Sequence, residues 1–348
     1  MVFLSLGVWV KADLSSLNLT GGEGMAFNPL RIARIIVDRE VVDVPVVSGQ
    51  SLGHGYQACL VDVAKRMQLP LCNLCKREEF VKGASTEDGL NRWNIIKNVD
   101  NITINDKLNF EIETLKGCIV EDVGGFMATL KGGEGGVSVR RTSLFQVSYA
   151  IPPYSLAKMV SETIESQLYA RQSPALSGTE EEKKKTSGDR RGQAKAQMIW
   201  EEEVASPVFA FIFNLDIDYI GKPLITDSSF VVSDREKRIK ACILALEQLL
   251  DGPFFGAKRS RTYPFVSVEK AIMVLTDKCR VTVASPLYDN FYDKTVNKVC
   301  DAINFVRNVI EDVSLLIIGL GKVPNGVEEA GTIGEMFRKC WEWIEQHL

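Results

Sequence analysis

The sequence predicts an α+β fold whose core has the strand and helix order of ferredoxin-like proteins. Two observations predict it: strand, helix and strand follow one another in the first 151 residues, and the same order recurs between residues 208 and 275. Long polar and glycine-rich segments lie between these elements, so the core carries insertions. Because many unrelated proteins share this order, it predicts a fold and not a function. The six core segments are Phe3–Val10, Gly49–Met67, Ser143–Ile151, Val208–Ile220, Asp234–Leu250 and Val266–Leu275.

In the first half, Phe3–Val10 alternates as a strand does, and Arg31–Val37 predicts a second strand or one arm of a hairpin. Glycines between them predict a flexible loop at Leu19–Phe27. Ser48 is a residue type that caps helices, and an apolar stripe with helical spacing follows it. Pro70 ends this helix. The stripe consists of Leu52, Tyr56, Cys59, Leu60, Val63 and Met67.

The middle of the chain is predicted to hold two insertions. Lys82–Gly136 is rich in glycine, with strand-like pieces at Asn101–Asn105 and Gly117–Val120, and it predicts a subdomain with mobile loops. Ser155–Ala170 has the pattern of an amphipathic helix. Gln172–Lys195 has too few apolar residues to offset its ordering entropy, so we predict that it is disordered or mobile.

The second half adds predicted strands at Arg280–Ala284 and Leu315–Ile318, and helices at Asp293–Asp312 and Ile333–Leu348. We therefore divide the chain into four parts. Residues 1–81 form the first half of the core together with 142–151 and 207–276, and 82–141 form the glycine-rich insertion. Residues 152–206 form a helical insertion with a disordered loop at about 172–195, and 277–348 complete the core.

Composition limits the class of protein. The chain has 348 residues, with 41 Lys and Arg against 45 Asp and Glu, and a net charge of −4. That balance disfavours a globally basic nucleic-acid binder but permits a local basic groove. No apolar run reaches membrane-spanning length, and the N-terminal segment is interpreted as a strand and not a signal peptide. The eight cysteines are scattered, unlike a secreted disulfide framework, so a cytoplasmic protein is predicted.

The entry of the first core helix is the first candidate binding site. Ser48, Gly49 and Gln50 would present backbone amides and small side chains to a phosphate, although an ordinary core helix would have the same cap. Gly49, Gly53 and Gly55 each destabilise a helix by about 1 kcal/mol relative to Ala. Close approach by RNA or by a neighbouring subunit would explain these glycines.

Histidine and cysteine usage argues against catalysis and metal binding. His54 is one of two histidines, so a catalytic triad is hard to assemble, and it is either a polar surface residue or an RNA contact. Cys72 and Cys75 have the spacing of half a zinc site, which Cys59, Cys118 or His54 would complete only if the fold brought them near. We predict a structural turn there, with a disulfide left open for a hyperthermophilic source, and no catalytic residue, metal or cofactor.

Two cationic segments are candidate phosphate contacts. Arg140 and Arg141 precede a predicted strand and are either a solvated pair or a clamp for phosphates. The strongest basic cluster is Gly256–Arg261, where small residues let a backbone approach phosphates and cations neutralise them; a charged surface loop is the alternative. The candidate RNA contacts in this cluster are Lys258, Arg259, Ser260 and Arg261.

Four segments, in this order, resemble one family. They are Val44–Gly83, Asp122–Phe126, Val139–Ser143 with the following FQVSYAIP, and Gly256–Arg261 with Pro264. They are similar to the repeated backbone ("Cas seven") subunit of class 1 CRISPR surveillance complexes, in its archaeal type I-A branch, long labelled the DevR-like autoregulators. The resemblance covers most of the chain.

The resemblance implies a modified RNA-recognition fold with an inserted thumb and fingers. The thumb would contain Gly124, Gly125, Phe126 and Met127 and would displace nucleotides of the bound RNA, although a glycine-flanked aromatic is more often a core residue. The implied function is a guide-RNA-binding subunit of a Cascade complex, without catalysis. Its copies would stack along the CRISPR RNA, contact other Cascade subunits and present the guide to target DNA, away from any membrane.

Two other functions stay open. A ferredoxin-like RNA-processing endonuclease would use His54 as its acid or base and would need a second catalytic group nearby. A transcriptional autoregulator would need a DNA-reading helix, and no convincing helix-turn-helix is visible in the sequence.

Overall fold

The computed structural model describes residues 2–16, 19, 27–82, 102–130, 137–171, 198–226, 229–252 and 263–348. Its strands are β1 (Val2–Asp13), β2 (Phe27–Asn28), β3 (Ile32–Val37), β4 (Glu40–Pro45), β5 (Phe126–Leu130), β6 (Val137–Arg141), β7 (Phe145–Val147), β8 (Glu165–Arg171), β9 (Met198–Val204), β10 (Val208–Asp216), β11 (Phe265–Asp277), β12 (Leu315–Leu320) and β13 (Glu328–Ala330). Its α-helices are α1 (Gly49–Arg66), α2 (Asn73–Lys76), α3 (Ile104–Gly117), α4 (Ile119–Gly124), α5 (Ala157–Ser161), α6 (Arg235–Asp251), α7 (Phe291–Arg307) and α8 (Ile333–His347).

A six-stranded sheet lies at the centre, in the order β13-β12-β11-β1-β10-β7. β1 pairs antiparallel with both β10 and β11, and β7 pairs antiparallel with β10. The predicted strands at Phe3–Val10, Val208–Ile220 and Val266–Leu275 are therefore neighbours, and Ser143–Ile151 supplies an edge strand through β7. On the other side, β12 pairs antiparallel with β11 and β13 pairs parallel with β12.

Helices cover both faces of this sheet. The first eight residues of β1 are all buried, as expected for a strand whose two faces are both packed. On one face, α1 and α6 pack beside each other over β1, β10 and β11. On the other face, Phe291 of α7 stacks on Trp9 with ring centroids 6.0 Å apart. These two apolar layers hold the central sheet and fix the entry of α1.

The described part of the insertion after residue 82 begins with two helices, which corrects two predicted strands. Of the predicted strand Asn101–Asn105, the described residues 102–105 lead into α3, because Thr103 and Asp106 form a reciprocal capping box. Gly117–Val120 spans the junction of α3 and α4. α4 leads directly into the antiparallel hairpin of β5 and β6.

Two further predictions are wrong. Ser155–Ala170 is not one helix: α5 ends at Ser161, and β8 pairs with β9 in a three-stranded sheet with β2. Arg280–Ala284 is not a strand, because β1 and β12 already occupy both edges of β11. Val281 and Val283 are instead buried beside α7.

Several predictions fall on residues that the structure does not describe. Between Leu19 and Phe27, residues 20–26 are not described, and the predicted mobile segment Gln172–Lys195 lies wholly outside the described residues. The same holds for 83–101 and 131–136 of the Lys82–Gly136 insertion. Among the described residues, no helix has the length and apolar composition that crossing a membrane requires.

Candidate nucleic-acid interface

The first turns of α1 pack closely against the edge strand β7. The buried Ser48 side chain caps the helix by accepting a backbone N–H at 3.2 Å. A Cβ on Gly49 would lie 2.6 Å from the Val147 carbonyl oxygen, and a Cβ on Gly53 would lie 3.2 Å from the Phe145 ring. Packing against β7 therefore accounts for Gly49 and restricts Gly53 without RNA or a neighbouring subunit, and Ser48 has a capping role. Contact of Ser48, Gly49 and Gln50 with RNA stays a prediction.

Gln50 and His54 are exposed on α1, one turn apart. The His54 ring meets the half-buried Phe80 ring edge-on, with centroids 5.0 Å apart. Two residues further on, Lys82 Nζ donates to the Gly124 carbonyl at 2.8 Å. The segment between Phe80 and Lys82, at the end of the family-like segment Val44–Gly83, thus joins the exposed face of α1 to the root of the β5–β6 hairpin.

The hairpin root depends on glycine and exposes a methionine. Gly125 has a φ of 69°, and a Cβ there would lie 2.5 Å from the Arg141 carbonyl oxygen. Phe126 is buried in a small apolar cluster, which contradicts its predicted role as a wedge. Met127 is 63% exposed and pairs in register with the exposed Arg140. Among the hairpin side chains whose burial is described, the exposed apolar one is therefore Met127 and not Phe126.

Arg141 is structural, which contradicts its predicted role as a phosphate clamp. Its side chain is fully buried, and its guanidinium makes five hydrogen bonds, as many as it has N–H donors. Two go to the carboxylates of Glu111 and Asp122, each at 2.8 Å. The other three go to the carbonyls of Asp122, Lys222 and Tyr219. No donor is left for a phosphate.

The two carboxylates that bind Arg141 tie the hairpin to the rest of the fold. Asp122 also accepts from the Gly221 N–H and from Arg238 at 3.0 Å. Burial raises the pKa of Asp122, and the guanidiniums of Arg141 and Arg238 oppose that shift. Glu111 accepts from Arg141 and from two backbone N–H groups of the segment after residue 222. A buried ionic network thus holds β6, α3, α4 and α6 in fixed positions.

The exposed face of β6 borders a solvent-accessible groove with a volume of about 430 Å³. Its cations are Arg140 and the half-buried Lys107, and its hydroxyls are those of Ser138 and Thr142. Cations and hydroxyls are the groups that proteins use to contact nucleic-acid phosphates. The groove is lined by Ile104, Lys107, Ser138, Val139, Arg140, Thr142, Leu224 and Ile225.

Part of this groove had a signal in the sequence. Ser138, Arg140 and Thr142 recur at every second position, which places them on one face of a strand. Lys107 has no such signal, because it reaches the groove from a separate helix, α3. The candidate RNA contacts Lys258, Arg259, Ser260 and Arg261 lie outside the described residues and stay predictions.

These features define a mixed α/β protein with several sheets and an exposed cationic groove at one hairpin. A family profile described as "CRISPR-associated negative auto-regulator DevR/Csa2" matches residues 6–296. The chain belongs to this family of CRISPR-associated proteins, as its resemblance in sequence had predicted.

Two relatives found by sequence agree with this assignment. The chain is 35% identical over 257 residues to the "CRISPR-associated aCascade subunit Cas7/Csa2 2" of Saccharolobus solfataricus, covering 72% of this chain and 71% of that protein. It is 28% identical over 307 residues to the "CRISPR-associated protein Cas7/Cst2/DevR" of Methanocaldococcus jannaschii, covering 86% and 89%. A solved "CRISPR RNA-guided surveillance complex, pre-nicking" contains a chain with a TM-score of 0.46 and 8% identity, covering 98% of this chain and 99% of that one.

Proposed function

We propose that this protein is a guide-RNA-binding backbone subunit of a type I-A Cascade complex. Its copies stack along one CRISPR RNA in the cytoplasm, contact other Cascade subunits and present the guide for pairing with target DNA. Family membership supports this proposal, as does the name of the Saccharolobus relative, an aCascade subunit. The observation that carries it is the groove in which Arg140 and Lys107 meet two hydroxyl side chains.

We propose a ferredoxin-like core, with the β5–β6 hairpin as the thumb. The strand order β11-β1-β10-β7 supports this core, because in chain order it reads fourth, first, third, second, with antiparallel neighbours throughout. α1 and α6 are the two helices that connect the strands of each half.

The proposed mechanism is binding by phosphate neutralisation and base stacking. Arg140 and Lys107 neutralise phosphates along the groove, while Met127 inserts between nucleotides from the exposed face of the hairpin. His54 stacks on a base beside Phe80. Watson–Crick pairing of the guide, and not protein contact, then reads the target sequence.

We propose that the protein binds RNA without cutting it. The endonuclease alternative would use a second acid or base near His54, and among the described residues the ring that meets His54 is that of Phe80, which holds no transferable proton. Specific cleavage of repeat RNA by the purified protein would support the endonuclease alternative, and preference for a duplex promoter over guide RNA would support the autoregulator.

The proposal is tested by RNA affinity as a function of salt. Arg140→Ala and Lys107→Ala should each weaken guide-RNA binding. Each should also reduce the magnitude of the slope of log K against log salt concentration by about 1, because one phosphate contact is lost. Arg338→Ala is the matched control, because this exposed arginine on α8 pairs with Glu342 and lies outside the groove. If Arg140→Ala and Lys107→Ala keep the wild-type slope, as the control Arg338→Ala should, the groove does not bind the RNA backbone.

A further inference from the structure

Three cysteines from two distant segments meet beside the hairpin root. Cys72 is the N-cap of the short helix α2, Cys75 lies within that helix, and Cys118 lies at the junction of α3 and α4. The three sulfur atoms all lie within 4.8 Å of one another, and all three residues are buried. The fold thus supplies the third ligand that the spacing of the pair alone did not predict.

The backbone holds this cluster together. The Ile119 N–H donates to the Pro70 carbonyl at 3.0 Å, which fixes the α3–α4 junction against the chain that enters α2. The Cys75 N–H points at Cys72 Sγ at 3.5 Å. An N–H that donates to sulfur favours the thiolate form, because hydrogen bonds to a charged group stabilise it. The cluster is therefore held at both segments without a disulfide, and all eight cysteines are free thiols.

A carboxylate lies beside the cluster. Glu121 Oε1 is 3.8 Å from Cys72 Sγ, and Glu121 is buried on the first turn of α4. Lys82 is the neighbouring cation: burial lowers its pKa, whereas Cys75 and Glu121 oppose that shift. This buried carboxylate, beside the Cys72 sulfur atom, supplies a fourth potential ligand.

The three sulfur atoms lie close together and are all buried, in a cluster packed among apolar side chains. Three adjacent thiolates would repel one another in this apolar site, whereas a divalent cation would stabilise all of them. Binding therefore releases the three thiol protons to solvent.

We propose that Cys72, Cys75 and Cys118 bind a zinc ion, with the Glu121 carboxylate as the fourth ligand. A tetrahedral site with Zn–S bonds of about 2.3 Å has sulfur atoms about 3.8 Å apart, so small side-chain rotations close it. Three thiolates with one harder ligand in a closed tetrahedron suit Zn²⁺. The metal cross-links α2 to the α3–α4 junction, and α4 carries that constraint to Gly124 and the hairpin. The site is structural and needs no RNA.

Metal content of the purified chain tests this proposal directly. Protein prepared anaerobically with reductant and without chelator should carry about one zinc per chain. Replacement by Co²⁺ should give a thiolate-to-cobalt charge-transfer band and the intense visible bands of tetrahedral cobalt. Folded, reduced protein that holds neither metal in stoichiometric amount overturns the proposal, as does a Cys72–Cys75 disulfide found by mass spectrometry in protein prepared the same way.

Variants separate the cluster from other buried thiols. Cys118→Ser should lose stoichiometric zinc, while Cys340→Ser should keep it, because Cys340 is equally buried but lies on α8 outside the cluster. Equal zinc content in both variants would contradict the site. If Cys118→Ser does not fold, the wild-type cobalt spectrum decides instead. Glu121→Gln should keep the three sulfur ligands but shift the visible cobalt bands, and an unshifted spectrum would remove Glu121 from the ligand set.

Discussion

Two adjacent arginines on β6 have opposite environments. Arg140 is exposed beside the groove, whereas Arg141 is buried and makes five hydrogen bonds. The sequence predicts the alternation of faces along a strand, but it does not show which face is buried, because that depends on Glu111 and Asp122 from other elements. The sequence therefore predicts that the two arginines point to opposite faces of the strand, but it does not predict which of them is buried.

Arg141→Ala should lower the free energy of unfolding by about 3 to 5 kcal/mol, because it leaves two buried carboxylates without their partner. Arg140→Ala is the matched neighbour and should change stability by no more than about 0.5 kcal/mol, as exposed substitutions do. Urea unfolding of the three proteins measures both values. Similar losses in the two variants would contradict the structural role of Arg141.

His54→Ala should weaken guide-RNA binding by about 1 to 3 kcal/mol, the range of one stacked base. His54→Phe keeps a ring beside Phe80 and should retain most of that affinity, since stacking needs a π-face and no proton. Fluorescence anisotropy with a labelled guide measures the difference. Wild-type cleavage of a repeat precursor that both variants abolish would instead indicate an acid–base role.

At the scale of elements, the local sequence pattern correctly predicted those helices and strands whose type is determined by their own residues. The α1 helix, with its Ser48 cap and apolar stripe, forms as predicted, as do the core strands β1, β10 and β11. The failures depend on distant contacts: β8 is a strand because β9 pairs with it across residues 172–197, and Cys118 meets Cys72 because Ile119 bonds to Pro70. A short stretch of sequence around β8 or Cys118 does not contain the distant residues that determine its structure.

Two glycine substitutions should show whether tertiary packing or intrinsic helix propensity determines the change in stability. Gly49→Ala should destabilise the fold by about 1 to 3 kcal/mol, because its Cβ would meet the backbone oxygen of Val147 at 2.6 Å. Gly117→Ala, in α3, should be neutral or stabilise by up to about 1 kcal/mol, since nothing lies within 4 Å of the added atom. Thermal unfolding compares the two, and destabilisation of the same size in both would mean that packing on β7 does not explain Gly49.

At the scale of the whole molecule, the net charge of −4 opposes RNA binding while the groove favours it. With Arg140 and Lys107 as the cations of the described groove, one copy neutralises few phosphates, and the repulsion from its remaining surface is not offset. A single copy should therefore bind weakly, and tight binding should come from several copies on one guide.

Binding to longer RNA should consequently be cooperative. Copies that share one guide add contacts to each other, and each bound copy raises the effective concentration of RNA for the next. Head-to-tail contacts between identical copies generate open helical arrays, so particle length should increase with RNA length. Mass photometry and electron microscopy with guides of increasing length measure this, and Arg140→Ala should shift assembly to longer guides. A closed ring or a fixed dimer that ignores RNA length would exclude the backbone role, because such an assembly cannot follow a guide along its length.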